Sequence, residues 1–91
     1  MKPITFNTAC DLLNDADAVI VDNESLAFAC RNEDENGYDC IEINWHTEDG
    51  LIENSFGLSD QYYINKEGEL EIHEDRGTCY KITLLKRAKF K

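Results

Sequence analysis

The side chains with the widest chemical range in this sequence are four cysteines and two histidines. They are Cys10, Cys30, Cys40, Cys79, His46 and His73. No two cysteines form a CxxC pair, and the N-terminus has no apolar stretch of signal-peptide length, so we expect reduced thiols rather than disulfides. A zinc site would need three or four of these six side chains to converge on one ion.

Strand alternation limits which of these side chains can meet. It predicts that two of the cysteines, Cys10 and Cys30, face the core, Cys30 together with Leu26 and Phe28 of the same strand. The other four side chains are expected to face outward, which excludes a single site that holds all six. An outward set of Cys79, His73 and Cys40 stays open if their strands approach each other. The Cys79–His73 pair also has the composition of a nucleophile and its base, but nearby carboxylates raise the pKa of a thiol and argue against that chemistry.

One acidic segment, residues 32–37, matches the first half of a calcium-binding loop. It has oxygen ligands at positions one, three and five and a glycine, Gly37, at position six. Position twelve, where a bidentate glutamate is needed, is Ile43, and the flanking segments have strand rather than helix patterns. The sequence therefore favours a solvated acidic hairpin loop with Asn36 and Gly37 in a tight turn. We expect no metal and no other cofactor.

Carboxylates are abundant, and they are densest at Glu69, Glu71, Glu74 and Asp75. General acid–base catalysis needs a concave pocket that removes water from one such group, and a domain of 91 residues has little volume for one. The sequence contains no Gly-rich phosphate loop, no GxSxG and no HExxH motif. We therefore expect that the protein is not an enzyme.

Charge is distributed unevenly along the chain. The 19 acids outnumber the 9 bases for a formal net charge of −10, yet residues 81–91 contain five bases and no acid. The acidic body repels phosphate, so direct binding of nucleic acid through it is not expected. With no long apolar run and no signal segment, we expect a cytoplasmic protein without a membrane partner. We predict one domain over residues 1–85 and a basic tail over residues 86–91.

The elements that position these groups are predicted to be one N-terminal helix and a series of strands, an α+β fold. The helix is expected to begin at Thr5, Asn7 or Thr8. Its buried stripe recurs at helical spacing and consists of Phe6, Ala9, Cys10 and Leu13. After residue 18 the apolar period drops to two, which predicts a mostly antiparallel, meander-type sheet of about five to seven short strands. The helix is expected to pack on the apolar face of this sheet.

Turn residues predict how the strands pair. A two-residue turn at Asp49-Gly50 would place Trp45 opposite Asn54 and His46 opposite Glu53. The later segments 66–68 and 75–77 both end in glycine, as three-residue loops closed by a left-handed glycine require. With those two loops, Ile72 is expected opposite Tyr62 on one side and Tyr80 on the other. The outer sheet face is then predicted to carry Tyr63, Glu69, Glu71, His73, Cys79, Lys81 and Thr83.

Three classes of function fit these features. The first is a non-enzymatic interaction protein that mimics nucleic-acid charge and blocks a nucleic-acid-binding host protein. In size, charge and layout the chain is similar to acidic inhibitors of host defence from phages and mobile elements, including anti-CRISPR and anti-restriction proteins. The alternatives are an accessory or self-associating, dimeric domain and a metal-binding domain. The expected partner is a protein with a basic surface, and the residues expected to contact it are Glu33, Asp34, Glu35, Asp39, Glu67, Glu69, Glu71, Glu74 and Asp75.

Overall fold

The computed structural model describes residues 1–86 and shows one helix with an eight-stranded antiparallel sheet. In chain order the elements are β1 (Lys2–Ile4), α1 (Phe6–Asp15), β2 (Ala18–Val21), β3 (Ser25–Glu33), β4 (Asp39–Thr47), β5 (Gly50–Phe56), β6 (Gln61–Ile64), β7 (Leu70–His73) and β8 (Cys79–Leu85). The α+β class and the mostly meander-like sheet are confirmed. The strand missing from the prediction is β1, which tolerates Pro3 because it is an edge strand. Residues 87–91, most of the predicted tail, lie outside the described residues.

The sheet is strongly curved. Its order is β1-β6-β7-β8-β2-β3-β4-β5, so the meanders β2–β5 and β6–β8 meet at the antiparallel β2–β8 pair. In a flat sheet of this order β5 and β6 would lie about 29 Å apart, but the chain from Phe56 to Gln61 spans at most about 18 Å. The sheet must therefore curl to bring the two strands together. The rings of Phe56 and Tyr80, from opposite parts of the sheet order, have centroids 5.5 Å apart inside the curl.

Helix α1 begins where Thr5 caps it. Oγ1 of Thr5 accepts a hydrogen bond from the backbone N of Thr8 at 3.1 Å, which satisfies one amide that has no partner within the helix. The helix ends at Asp15 because Ala16 adopts an extended conformation. Its buried residues are Phe6, Ala9, Cys10 and Leu13, as predicted. Within residues 1–86 no helix has the length and apolar character needed to cross a membrane.

The pairing predicted for β6, β7 and β8 is confirmed. Ile72 of β7 lies opposite Tyr62 of β6 on one side and Tyr80 of β8 on the other. The turns before and after β7 contain left-handed glycines, Gly68 with φ 80° and Gly77 with φ 99°. Since glycine adopts this conformation without steric cost, the two turns close as three-residue loops and set the register.

The predicted register of the β4–β5 hairpin is wrong by two residues. Trp45 pairs with Ile52 rather than Asn54, because residues 48–49 form the turn and Gly50 already belongs to β5. A shift by two residues leaves every side chain on its original face, so Trp45 is buried in both registers. Alternation alone therefore cannot distinguish them.

The predicted orientation of β3 is also wrong. Leu26 and Phe28 face solvent, with 58% and 68% of their surface exposed, and Cys30 is exposed as well. Ala27 is fully buried instead, on the strand against which α1 packs. Ala9 of the helix is likewise fully buried, which shows how closely helix and strand approach. This close contact accommodates the small side chains of β3 and not the large ones.

Two more predictions fail on β4. Cys40 was expected to face outward, but only 4% of its surface is exposed. Both Cys40 and Ile41 are buried, so the alternation breaks where β4 begins beside the loop of residues 57–60. His46 is exposed as predicted, yet it lies opposite Leu51 rather than Glu53.

Candidate functional site

Three potential metal ligands meet on the outer face of β7 and β8. Strand pairing places His73 opposite Cys79, and Glu71 lies two residues before His73 on the same face. Oε1 of Glu71 is 3.1 Å from Nε2 of His73 and 3.7 Å from Sγ of Cys79. One ligand atom from each residue lies within 4.8 Å of the others. We call Glu71, His73 and Cys79 the outer-face cluster.

Two neighbours orient the outer-face cluster. Nδ2 of Asn65 donates a hydrogen bond to Oε2 of Glu71 at 3.1 Å, so the other carboxylate oxygen faces His73 and Cys79. The ring of Tyr63 contacts the ring of His73 edge-on, with centroids 4.7 Å apart. Both contacts restrict the rotamers of the cluster before any ligand arrives.

These contacts also change proton affinities. The hydrogen bond with His73, followed by the one from Asn65, holds the pKa of Glu71 below its usual value. Burial, reinforced by the Glu71 carboxylate, raises the pKa of the Cys79 thiol. Burial also raises the pKa of Cys10. Both thiols are therefore protonated at neutral pH and are not activated nucleophiles.

Glu69 extends this hydrogen-bonded surface. Oγ1 of Thr83 donates to its Oε2 at 2.6 Å, and Nδ2 of Asn65 donates to its Oε1 at 3.3 Å. The bond from Thr83 is the main reason that the pKa of Glu69 is lowered. Glu69 and Glu71 were predicted to contact a partner, but both are half-buried and already accept hydrogen bonds.

The metal set that combined Cys79 and His73 with Cys40 does not form. Strands β2 and β3 separate β4 from β8, which corresponds to about 14 Å of sheet. Glu71 is the third group instead. Alternation along β7 already places Glu71 on the face of His73, and restricting the candidate ligands to cysteine and histidine concealed this signal.

A second polar feature lies at the end of the sheet where hairpin loops converge. It is a shallow groove made of two adjoining depressions that share Asp34, Cys40 and Ser55. One lies against the β3–β4 hairpin, and the other lies between the β3–β4 and β7–β8 hairpins, beside the loop of residues 57–60. Among the described residues that line the groove, Arg76 is the one base and seven residues are acids. We call the groove formed by these acids the acidic groove: Glu33, Asp34, Glu35, Glu42, Asp60, Glu74 and Asp75.

Asp60, which the sequence did not single out, ties the acidic groove together. Its Oδ2 accepts a hydrogen bond from the backbone N of Gly57 at 2.8 Å, and its Oδ1 accepts one from the backbone N of Asp75 at 3.1 Å. The hydroxyl of Tyr62 donates to the carbonyl oxygen of Gly57 at 2.7 Å. Aspartate is common in turns, so its presence at position 60 alone does not indicate a functional residue. The contact with Asp75 joins residues that are distant in sequence, and no local pattern predicts it.

The predicted partner-binding residues are found in four places. The acidic groove contains five of them, Glu33, Asp34, Glu35, Glu74 and Asp75. Glu69 and Glu71 belong to the hydrogen-bonded outer face. Glu67 lies in the β6–β7 turn, and Asp39 forms an ion pair with Arg31 at 3.0 Å. The structure thus brings together the two hairpin groups but not the whole set.

Comparisons with known proteins identify no relative, since no family matches the chain and no curated protein or solved structure matches it significantly. A function must therefore be inferred from the outer-face cluster and the acidic groove. The cluster consists of groups that bond to one another, whereas the groove exposes most of its charge to solvent.

Proposed function

We propose that the protein is a small, non-enzymatic interaction domain whose acidic groove binds a basic surface of a nucleic-acid-binding protein. The supporting observation is that Asp34 on one hairpin lines the same groove as Glu74 and Asp75 on another. A net charge of −10 strengthens the negative potential around these carboxylates. A nucleic-acid backbone presents the same sign of charge, so the groove suits a cleft that otherwise binds DNA or RNA.

Occupying such a cleft would exclude the nucleic acid. This is the action of an inhibitor of anti-CRISPR or anti-restriction type, directed from a phage or mobile element against a host protein. The absence of catalysis is supported by the protonated thiols of Cys10 and Cys79. It is also supported by the shallow, solvent-exposed form of the groove, because general acid–base catalysis needs a desolvated carboxyl group.

Charge reversal in the acidic groove tests the proposal. The groove variant combines Glu33→Lys, Glu35→Lys and Asp75→Lys, which are exposed positions on the two hairpins. It leaves Asp34 and Asp60 intact because their carboxylates accept backbone hydrogen bonds. The net charge rises by the same amount in a control variant with substitutions at residues that do not line the groove. The control combines Glu24→Lys, Glu48→Lys and Asp49→Lys in the β2–β3 and β4–β5 turns.

Partners are captured from a bacterial lysate at low salt, and one is purified for titration. We expect the groove variant to bind at least roughly tenfold more weakly than the wild type, while the control variant changes little. Binding should weaken with added salt, and duplex DNA should compete for the partner. Equal losses in both variants, or a partner that binds DNA and this protein simultaneously, would contradict the proposal.

Self-association is a second candidate function, favoured by an apolar patch on the outer face of β2 and β3. Leu26 and Phe28 are exposed there, and Ile20 lies directly opposite Leu26. Contiguous exposed apolar side chains commonly mark a protein interface. A dimer formed through this patch should persist at high salt in light scattering, and Phe28→Ser should convert it to a monomer. A wild-type chain that stays monomeric at high concentration would remove this candidate.

A further inference from the structure

The outer-face cluster has the spacing of metal ligands. In tetrahedral zinc sites, bonds of about 2.0–2.2 Å to nitrogen and oxygen and about 2.3 Å to sulfur place N and O ligands about 3.3 Å apart and S and O ligands about 3.6 Å apart. The observed separations from Oε1 of Glu71 are 3.1 Å to Nε2 of His73 and 3.7 Å to Sγ of Cys79. We propose that these three atoms bind one divalent ion of the Zn²⁺ class.

The donor set selects the class of ion. Carboxylate, imidazole and thiolate are the three ligand types that zinc uses in proteins, and Co²⁺ occupies the same type of site. Ca²⁺ and Mg²⁺ prefer sites made of oxygen ligands and do not suit Cys79. Three protein ligands leave the fourth position of a tetrahedral ion to water. The exposure of Cys79 lets the ion enter from solvent.

The bound ion would replace the hydrogen bonds that Cys79 and His73 make to Oε1 of Glu71. In the ion-free protein the Cys79 thiol donates to Oε1 of Glu71, and Nε2 of His73 contacts the same oxygen. When the ion binds, the thiol releases its proton to solvent, and the neutral ring of His73 moves its proton from Nε2 to Nδ1 by exchange with solvent, which frees the Nε2 lone pair for the ion. The ion then lies between Oε1 and the two former hydrogen-bonding atoms. Both distances from Oε1 already match those of a bound ion, and Nε2 and Sγ lie within 4.8 Å of each other.

Surrounding groups act on the bound charge in both directions. Glu69 beside Glu71, and Asp22 near Cys79, add negative charge that favours a cation. Lys81 lies opposite Glu71 on the paired strand, and its positive charge disfavours a bound cation. Asn65 keeps Oε2 of Glu71 occupied, so the carboxylate presents a single oxygen to the ion. The site is therefore a monodentate carboxylate, one imidazole and one thiolate on a sheet face.

Titration of the untagged full chain with Co²⁺, under a non-thiol reductant, tests the site. We expect thiolate-to-cobalt charge-transfer absorption that saturates at one equivalent and is abolished by one equivalent of Zn²⁺. Cys79→Ser and His73→Gln should each weaken binding at least roughly tenfold. The matched controls Cys30→Ser and His46→Gln, which change exposed residues outside the cluster, should bind like the wild type. Failure of the wild type to saturate, unchanged binding in both cluster variants, or loss in either control would overturn the proposal.

A second measurement follows the unmodified chain, so its result does not depend on the folding of a variant of the outer-face cluster. The protein has two histidines, whose imidazole C–H resonances are distinguished with His46→Gln. We expect Zn²⁺ to shift the His73 resonances until one equivalent is added and to leave those of His46 in place. A Zn²⁺-dependent shift of His46 alone, or of neither histidine, would overturn the assignment.

Discussion

The outer-face cluster and the acidic groove both depend on carboxylates, but different structural elements position these carboxylates. Glu71 lies on a paired strand, where the register brings Asn65, His73 and Cys79 within hydrogen-bonding distance of its carboxylate. Glu35 lies in a hairpin turn and is exposed to solvent. The first arrangement favours short-range coordination, and the second favours a longer-range field that salt screens. The position of a carboxylate in the fold therefore decides which chemistry it can support.

Substitution of Asp60 should give the largest loss of stability, because this carboxylate of the acidic groove joins two loops. Asp60→Ala removes the acceptor for the backbone amides of Gly57 and Asp75. Hydrogen bonds to charged groups contribute about 1.5–3 kcal/mol each, so we expect a loss of about 3 kcal/mol in the free energy of unfolding, measured in urea. Asp75→Ala, at an exposed position of the same groove, should change it by less than about 0.5 kcal/mol. Comparable losses in the two variants would show that Asp60 does not organise the groove.

Two equivalent turns allow the two regions to be compared directly. Asp34 and Asn65 each accept hydrogen bonds from the backbone amides two and four residues later. Asn65 also donates to Glu69 and Glu71, whereas Asp34 belongs to the groove. We expect Asp34→Ala to cost about 1 kcal/mol and Asn65→Ala about 2 kcal/mol in urea unfolding. Equal costs would mean that the Asn65 amide does not stabilise the outer face.

The two regions should also differ, by a smaller amount, in how far acid lowers the stability of the protein. The pKa values of Glu69 and Glu71 in the folded protein lie below the usual 4.5, so their stabilisation is complete above about pH 4.5 and is lost as the pH falls through the folded values. A Glu69→Gln/Glu71→Gln variant should therefore lose less melting temperature than the wild type between pH 6 and pH 3. The control Glu33→Gln/Glu35→Gln should keep the wild-type slope. Identical slopes for all three proteins would contradict the role of hydrogen bonding on the outer face.

The smallest effect is expected for a single exposed carboxylate of the acidic groove. Glu35→Gln should change the free energy of unfolding by less than about 0.5 kcal/mol. The substitution should stabilise the protein at low salt, because the chain carries a net charge of −10 and its negative charges repel one another. Thermal unfolding at low and high sodium chloride should show the gain disappear with screening. A loss of stability that does not depend on salt would indicate a specific contact of Glu35.

Prediction from sequence succeeded where turn chemistry fixed a single register. Gly68 and Gly77 close their turns as expected, which places His73 opposite Cys79. Between β4 and β5, two registers that differ by two residues bury Trp45 equally well, so the pattern could not choose between them. In β3 both faces alternate regularly, and the assumption that the larger side chains of Leu26 and its neighbours are buried was wrong.

Helix α1, the glycine turns and the outer face of β7–β8 follow from the sequence, because caps, left-handed glycines and alternation act between residues close together in the chain. The burial of Ala27 and the exposure of Leu26 depend on the packing of α1 against β3. The acidic groove, in which Asp34 and Asp75 face a common space, depends on the curling of the sheet. Such contacts join segments that are far apart in sequence, and their meeting is set by the packing of the whole sheet rather than by any local pattern.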